Sequence, residues 1–156
     1  MPAMHSKNEA AAETLAERRE RAVLATMAET GIDDAMIEQL VRAFYARATE
    51  DPLIGPFFEE HIKDWPKHIA QLCAFWSSVA LGTGRYHGTP MQAHMPMPLG
   101  RDEFTRWLAI FRETAGDICP PKAAAHFIER ANRIASSLEM GIASSRGAIV
   151  PPLMRT

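Results

Sequence analysis

The sequence predicts an all-α protein. In four segments the apolar residues recur every three or four positions, which places them on one side of an amphipathic helix. No segment of useful length alternates apolar and polar residues with the period of two that a half-buried strand requires. Residues that cap or break helices separate the four segments. At 156 residues, of which 47% are hydrophobic, the chain is long enough for one domain around one core.

The first two core helices have clear ends. The segment DDAMIEQLVRAFYARATEDP begins with Asp33 or Asp34 as its N-cap and ends at the Asp51-Pro52 step. The second helix begins at Asp64, where a proline in the first turn is tolerated, and ends at the Gly82-Thr83-Gly84 break. We therefore expect two separate amphipathic helices.

Two further core helices and two flanking segments complete the prediction. A third helix starts near Asp102, and the Pro120-Pro121 pair separates it from a fourth. Residues 7–28, with the ERRER run, are typical of an exposed or loosely packed leading helix. The end of the chain, SSRGAIVPPLMRT, is typical of a mobile tail.

Composition excludes several classes of protein. The net charge of −2 gives no reason to expect nucleic acid or an anionic membrane as a partner. The N-terminus is too polar for a secretory signal, and the longest uncharged run is shorter than the ~20 residues of a membrane span. Cys73 and Cys119 form no motif, so we expect reduced thiols, serving as small apolar residues, in a cytoplasmic protein.

The middle of the chain is almost free of charge. From His68 to Gly100 the only charged side chain is Arg85, yet this stretch holds three of the six histidines. Taken singly, His68 is typical of a buried histidine bonded to backbone, and His94, set between two prolines and three methionines, of a histidine in a turn. No HExxH or CxxC motif indicates a zinc or di-iron site. Gly88 and Pro90 separate His87 from His94, so these two are not a metal-ligand pair.

One cofactor accounts for these residues together. Haem requires a large apolar slot, one neutral imidazole on the iron and, for a small gas, a few donors on the opposite side. The chain offers an uncharged middle, His94 on a short segment, and the polar groups of Tyr45, His68 and Trp107 on three apolar stripes. Singly, Tyr45 and Trp107 are typical of core aromatics whose polar tips reach carbonyls. As a set, the four residues favour a haem pocket.

Four stretches carry a resemblance to a known family: FYARATEDPLIGPFF, WPKHIAQLCAFWSSVALGTGRYHGTPMQAHMPMP, FTRWLAIF and HFIERANRIASSLEMGI. They strongly resemble the group III truncated haemoglobins, small bacterial globins with a shortened 2-on-2 helical sandwich around a haem. The resemblance implies a truncated globin domain over residues 32–143. An N-terminal helical extension over residues 1–31 and a flexible C-terminal tail over residues 144–156 exceed the family's compact core.

The resemblance also implies roles for individual residues. His94 matches the proximal iron ligand, Tyr45 the distal tyrosine, and Trp107 the tryptophan that faces bound ligand. His68 matches the distal histidine that part of the family retains, and we expect it to act as a gate rather than as an iron ligand. The haem-contacting set is His94, Phe58, His68, Leu72 and Trp76. Because no CxxCH motif is present, the haem is expected to be haem b (iron protoporphyrin IX), held non-covalently.

Three functions follow from this pocket. The leading one is reversible binding of O2 and other diatomic ligands, NO and CO, with Tyr45 and Trp107 stabilising bound O2. The second is a haem enzyme that uses the same pocket, either a nitric oxide dioxygenase or a peroxidase-like catalyst. An electron-donating reductase partner or measurable turnover would demonstrate it. A haem-free helical interaction module is the third, and an absorption spectrum separates it from the other two.

Overall fold

The computed structural model describes residues 12–148, 150, 151 and 153, and this part of the chain contains seven α-helices and no strand. The predicted all-α class is therefore confirmed. In chain order the helices are α1 (Leu15–Thr30), α2 (Asp34–Ala48), α3 (Gly55–His61), α4 (Trp65–Leu81), α5 (Pro90–His94), α6 (Arg101–Ile118) and α7 (Pro121–Ser145).

The four core helices α2, α4, α6 and α7 form two layers. Helix α2 packs against α4, α6 packs against α7, and contacts between α2 and α6 join the two pairs. This is the predicted two-on-two arrangement. Between the layers lie the buried apolar residues of the predicted stripes, among them Phe44, Leu108, Phe111 and Phe127. Fully burying one such side chain stabilises the fold by roughly 1.5–3 kcal/mol.

The helix ends agree with the signals in the sequence. The Asp33 carboxylate accepts a hydrogen bond from the Met36 N–H at 2.8 Å, and the Asp64 carboxylate accepts one from the Lys67 N–H at 3.2 Å. Gly82, with φ of 80°, ends α4 in the left-handed conformation that favours glycine. Helix α2 ends at Ala48, ahead of the Asp51-Pro52 step that was expected to stop it.

The last turn of α4 is bonded to α7. Nε2 of His126 donates to the Ala80 carbonyl at 2.7 Å, and Nε of Arg130 donates to the Val79 carbonyl at 3.1 Å. These carbonyls have no partner within their own helix, so side chains of α7 satisfy them. The C-terminal end of α4 is thus fixed to the second layer.

The leading helix is shorter than predicted. Helix α1 begins at Leu15, with the Thr14 hydroxyl accepting from the Glu17 N–H at 3.1 Å, and it ends before Gly31. Residues 7–11 of the predicted helix lie outside the described residues, and residues 12–14 are not helical. None of the α1 residues is buried, which agrees with the expected loose packing.

The C-terminal residues differ from the predicted mobile tail. Helix α7 continues to Ser145, and Leu153 is buried at the edge of the core. The guanidinium of Arg101 donates to the carbonyl of Pro151. Burial of one apolar side chain and satisfaction of one carbonyl therefore hold part of this segment on the domain.

No helix within the described ranges has both the length and the apolar character that a bilayer crossing demands.

Candidate functional site

Helix α4 has two apolar faces. Ile69, Trp76 and Ala80 are buried in the core. A second face consists of residues three or four positions apart that are all only half-buried: Trp65, His68, Leu72, Phe75 and Val79. A helix whose second apolar face is incompletely covered by protein can line a ligand slot. The sequence predicted Leu72 and Trp76 as pocket residues but did not identify Trp65 and Phe75, which the same spacing could have revealed.

His94 lies on a short segment that rests on the second layer. This histidine segment, residues 90–100, consists of α5 and the turn that follows it, and α5 packs against α7. The Met97 N–H donates to the His94 carbonyl at 3.0 Å, which folds the chain back after the helix. His94 is half-buried, whereas His87, ahead of the segment, is exposed.

The tautomer of His94 is set by its own helix. Nδ1 of His94 lies 2.6 Å from the Pro90 carbonyl oxygen. A carbonyl oxygen can only accept a hydrogen bond, so Nδ1 carries the proton and Nε2 keeps its lone pair. A hydrogen bond from Nδ1–H to a backbone carbonyl is the usual support for a histidine that binds metal through Nε2. A neutral imidazole with a free Nε2 lone pair is the donor that haem iron requires, so His94 fits that ligand position.

Tyr45 on α2 and His68 on α4 are in contact where these two helices pack together. The Tyr45 hydroxyl lies 3.0 Å from Nε2 of His68, and their rings are in edge contact with centroids 5.3 Å apart. Phe58, on α3, is half-buried and in edge contact with the Tyr45 ring at 5.3 Å. Trp65 closes the group with a centroid distance of 5.4 Å to Tyr45. The structure therefore brings Tyr45, His68 and Phe58 together, as expected.

Burial keeps both polar members of this group neutral. Burial raises the pKa of the Tyr45 hydroxyl well above its usual range. The pKa of His68 is lowered, first by burial and second by repulsion from a positive charge on His94. Near pH 7, Tyr45 is thus a phenol and His68 a neutral imidazole.

Trp107 completes one wall of a small cavity. The cavity has a volume of about 20 Å³ and is lined by Leu40, Val41, Phe44, Tyr45, Leu72, Trp76, Trp107 and Phe111. That volume suffices for about one water-sized molecule. The Trp107 ring stacks on Phe111 with centroids 5.4 Å apart. Leu72 and Trp76 were expected to line the pocket, and they do line this cavity, although Trp76 is only 4% exposed and belongs to the core.

A second kind of metal site would need a cluster of histidine, cysteine or acidic side chains. No group of three or more histidine, cysteine, aspartate or glutamate side chains in the described part of the chain is arranged to hold a metal ion. Cys119 is buried and Cys73 half-buried. Burial is the largest cause that raises the pKa of each thiol, in keeping with the small apolar role expected of them.

Comparisons with known proteins place this geometry in a family. The family model described as bacterial-like globin matches residues 27–139. Group 3 truncated hemoglobin ctb from Campylobacter jejuni is 30% identical over 113 residues, covering 69% of this chain and 89% of that protein. The crystal structure of group III truncated hemoglobin from Campylobacter jejuni superimposes with a TM-score of 0.64 at 31% identity, again covering 69% of this chain and 89% of the other.

The chain belongs to the bacterial-like globin family. The resemblance to group III truncated haemoglobins and the truncated globin fold are thereby confirmed. Membership of this family implies a haem-binding protein with a small diatomic ligand, and the tautomer of His94 agrees with that implication.

Proposed function

We propose that this protein is a truncated haemoglobin that binds one haem b non-covalently through His94 and reversibly binds O2, NO or CO on the side of Tyr45 and Trp107. One observation carries the proposal: the Pro90 carbonyl fixes the proton on Nδ1 of His94, so that Nε2 of the neutral imidazole has a free lone pair for iron. Non-covalent attachment is supported by the absence of a CxxCH motif from the sequence.

The apolar residues around the two histidines hold the cofactor. Haem, when bound, supplies an iron centre with a position for one diatomic ligand. Phe58 and Leu72 are half-buried apolar side chains on α3 and α4, and Trp76, buried in the core, lines the same small cavity as Leu72. Their burial against a flat apolar ring would contribute roughly 25 cal/mol per Å² of apolar surface removed from water.

Two donors would address the ligand. Tyr45, which carries a hydroxyl, and Trp107, which carries an indole N–H, line the same small cavity, and its other lining residues are aliphatic or aromatic. No hydrogen bond within the described residues engages the indole N–H. Each donor in so dry a site contributes roughly 1–3 kcal/mol to binding of a polar ligand, or about 5–150-fold in affinity. The two donors together favour slow release of O2.

His68 would act on the ligand through Tyr45. If Nε2 of His68 carries its proton, it donates to the Tyr45 oxygen at 3.0 Å and leaves the phenolic hydrogen free for the ligand. Its neutral state near pH 7 agrees with this arrangement, since no charge has to be desolvated beside the ligand. We therefore propose that His68 is an orienting and gating residue rather than an iron ligand.

Absorption spectra of wild type and two histidine variants test the proposal. We expect a Soret band in the wild type, its loss or displacement in His94→Ala, and an unchanged band in the control His87→Ala, because His87 is exposed. A normal spectrum in His94→Ala with a lost band in His87→Ala would assign the ligand to His87 instead. A wild type without any Soret band would favour the haem-free interaction module.

A nitric oxide dioxygenase is the second candidate. Two donors on one cavity favour retention of O2 rather than delivery, and retained O2 can react with NO to give nitrate when an external reductase supplies one electron per turnover. Consumption of NO by the reduced, oxygenated protein, with nitrate as the product, is the expected result. Oxygen binding without NO consumption would leave reversible ligand binding as the function.

A further inference from the structure

The helix that carries His94 cannot hold its own shape. Helix α5 has five residues, and isolated helices shorter than about 12–15 residues are marginal in water. Pro90 begins it and Pro96 follows it closely, so the chain cannot extend the helix to gain stability. The orientation of the His94 imidazole therefore depends on the element against which the histidine segment packs, which is α7.

Met91 rests on α7 where a side chain is missing. A Cβ atom added to Gly141 would lie 2.4 Å from Cε and 2.5 Å from Sδ of Met91. Such distances are far inside van der Waals contact, so the thioether occupies space that only glycine leaves open. Met91 lies one helical turn before His94, and its thioether fills the contact between α5 and α7 beside Gly141.

The backbone at Gly141 gives no other reason for a glycine. Gly141 lies inside the helix Pro121–Ser145 and does not have positive φ. Glycine within a helix is less favourable than alanine because it loses more conformational freedom on folding. The space taken by Met91 accounts for the residue. Gly116, inside α6, provides a comparison, because a Cβ atom there would meet nothing within 4 Å.

The same end of α7 holds the rest of the histidine segment. Nη2 of Arg146 donates to the Met97 carbonyl at 2.8 Å. The Glu139 carboxylate, whose side chain is 4% exposed, accepts two hydrogen bonds at 2.8 Å from Arg101, which directly follows the segment. Residues 139–146 thus contact both ends of the segment and its turn, with Gly141 between the two polar contacts.

We propose that Gly141 is a positioning residue for the iron ligand: by seating Met91, it fixes how Nε2 of His94 is presented to the haem. The proposal rests on His94 being the ligand, as proposed above. On this proposal, α7 influences the bond between His94 and the iron indirectly, through Met91 and α5.

The test uses the ferrous, ligand-free holoprotein and two readouts. The first is the Fe–His stretching band in the resonance Raman spectrum, and the second is the rate of haem transfer to an apomyoglobin acceptor. In Gly141→Ala we expect a shifted band and haem loss faster by on the order of five- to tenfold, because the thioether is displaced and α5 moves with it. Met91→Ala should speed haem loss through the unfilled space, and Gly141→Ala/Met91→Ala should return the band toward its wild-type position.

Gly116→Ala is the matched control, and both readouts should keep their wild-type values in it. A Gly141→Ala protein with wild-type band and transfer rate overturns the proposal, as does a change confined to the free energy of unfolding. If Gly141→Ala fails to fold, Met91→Ala replaces it as the test, and a wild-type Fe–His band with a wild-type haem transfer rate in that variant overturns the proposal. Absence of any Fe–His band in the wild type would instead overturn the ligand assignment, which is a distinguishable result.

Discussion

The hydroxyl of Tyr45 on α2 and Nε2 of His68 on α4 are 3.0 Å apart, and this hydrogen bond joins the two helices at the first turn of α4. Each residue has a neutral form near pH 7 because of burial. The pair is thus a hydrogen-bonded unit, and when Nε2 of His68 carries the proton it donates to the Tyr45 oxygen and leaves the phenolic hydrogen free. The expected properties of the distal side follow from this unit and from Trp107.

We expect Tyr45→Phe and Trp107→Phe each to speed O2 dissociation by about 5–150-fold, the range for loss of one hydrogen bond in a dry site. Dissociation of CO should change less, because bound CO carries less negative charge than bound O2. The double variant should show coupling, since both donors line one cavity. Stopped-flow or flash photolysis measures these rates. Equal effects on O2 and CO would indicate that the side chains act by blocking the exit.

His68→Leu should leave the ferric protein with the same coordination as the wild type at neutral pH, because His68 is bonded to Tyr45 rather than available to iron. Its effect should appear as faster O2 release, since Tyr45 loses the partner that orients its hydroxyl. Ferric absorption and electron paramagnetic resonance spectra decide the first point. A low-spin wild type that becomes high-spin on substitution would mean that His68 coordinates iron, against our proposal.

The lowered pKa of His68 gives a stability that falls with acid. The folded protein resists protonation of this residue, whereas the unfolded chain binds the proton near the ordinary value of 6.5. Below that pH the unfolded state takes up more protons, so the free energy of unfolding declines until the pH passes the lowered pKa of the folded state. Urea unfolding between pH 7.5 and 5 measures the decline.

Substitution should remove this contribution. We expect His68→Leu to show a flatter dependence of unfolding free energy on pH, and His87→Gln, at an exposed position, to keep the wild-type slope. If the His68→Leu slope matched that of the wild type, the titrating group would lie elsewhere in the protein.

Asp51 holds the turn after α2 together. Burial pushes the pKa of its carboxyl upward, but hydrogen bonds from the Ile54 N–H, the Arg106 guanidinium and the Leu53 N–H outweigh this and lower the pKa. The Arg106 contact is 2.6 Å long. We expect Asp51→Ala to reduce the free energy of unfolding by about 1–3 kcal/mol, since two N–H groups and a guanidinium lose their acceptor.

Because the pKa of Asp51 is lowered in the folded protein, this contact should stabilise the fold less in acid. Its contribution is complete above the ordinary value of 3.8 and is lost as the pH falls through the lower pKa of the folded state. Asp117→Ala serves as the control, because Asp117 forms an exposed ion pair with Arg47 and should cost no more than about 1 kcal/mol. Equal losses in the two variants would show that Asp51 stabilises no more than a surface charge does.

Local signals in the sequence predicted the long helices well. Apolar spacing identified their buried faces, and the caps Asp33, Asp64 and Gly82 act within three or four residues along the chain, so their effect is visible without a fold. Spacing alone left His68 and His94 with ordinary interpretations; the requirements of haem grouped the four candidate residues of the pocket, and the family resemblance gave each of them a role.

Contacts between distant residues were not predictable in this way. The pairing of Arg101 with Glu139, the burial of Leu153 and the seating of Met91 on Gly141 depend on how α6, α7 and the histidine segment come together. Arginine and glutamate are common on exposed surfaces, and a glycine within a helix gives no indication of what occupies the space beside it. Such contacts require coordinates.

The two bonds from α7 to the last turn of α4 have a mechanical consequence. These bonds hold α4 at Val79 and Ala80, and the Tyr45–His68 hydrogen bond holds the same helix at its first turn. His68 lies eleven residues from Val79, about 16 Å along the helix axis at 1.5 Å per residue. Helix α4 is therefore a beam supported at both ends, with α7 at one support and α2 at the other.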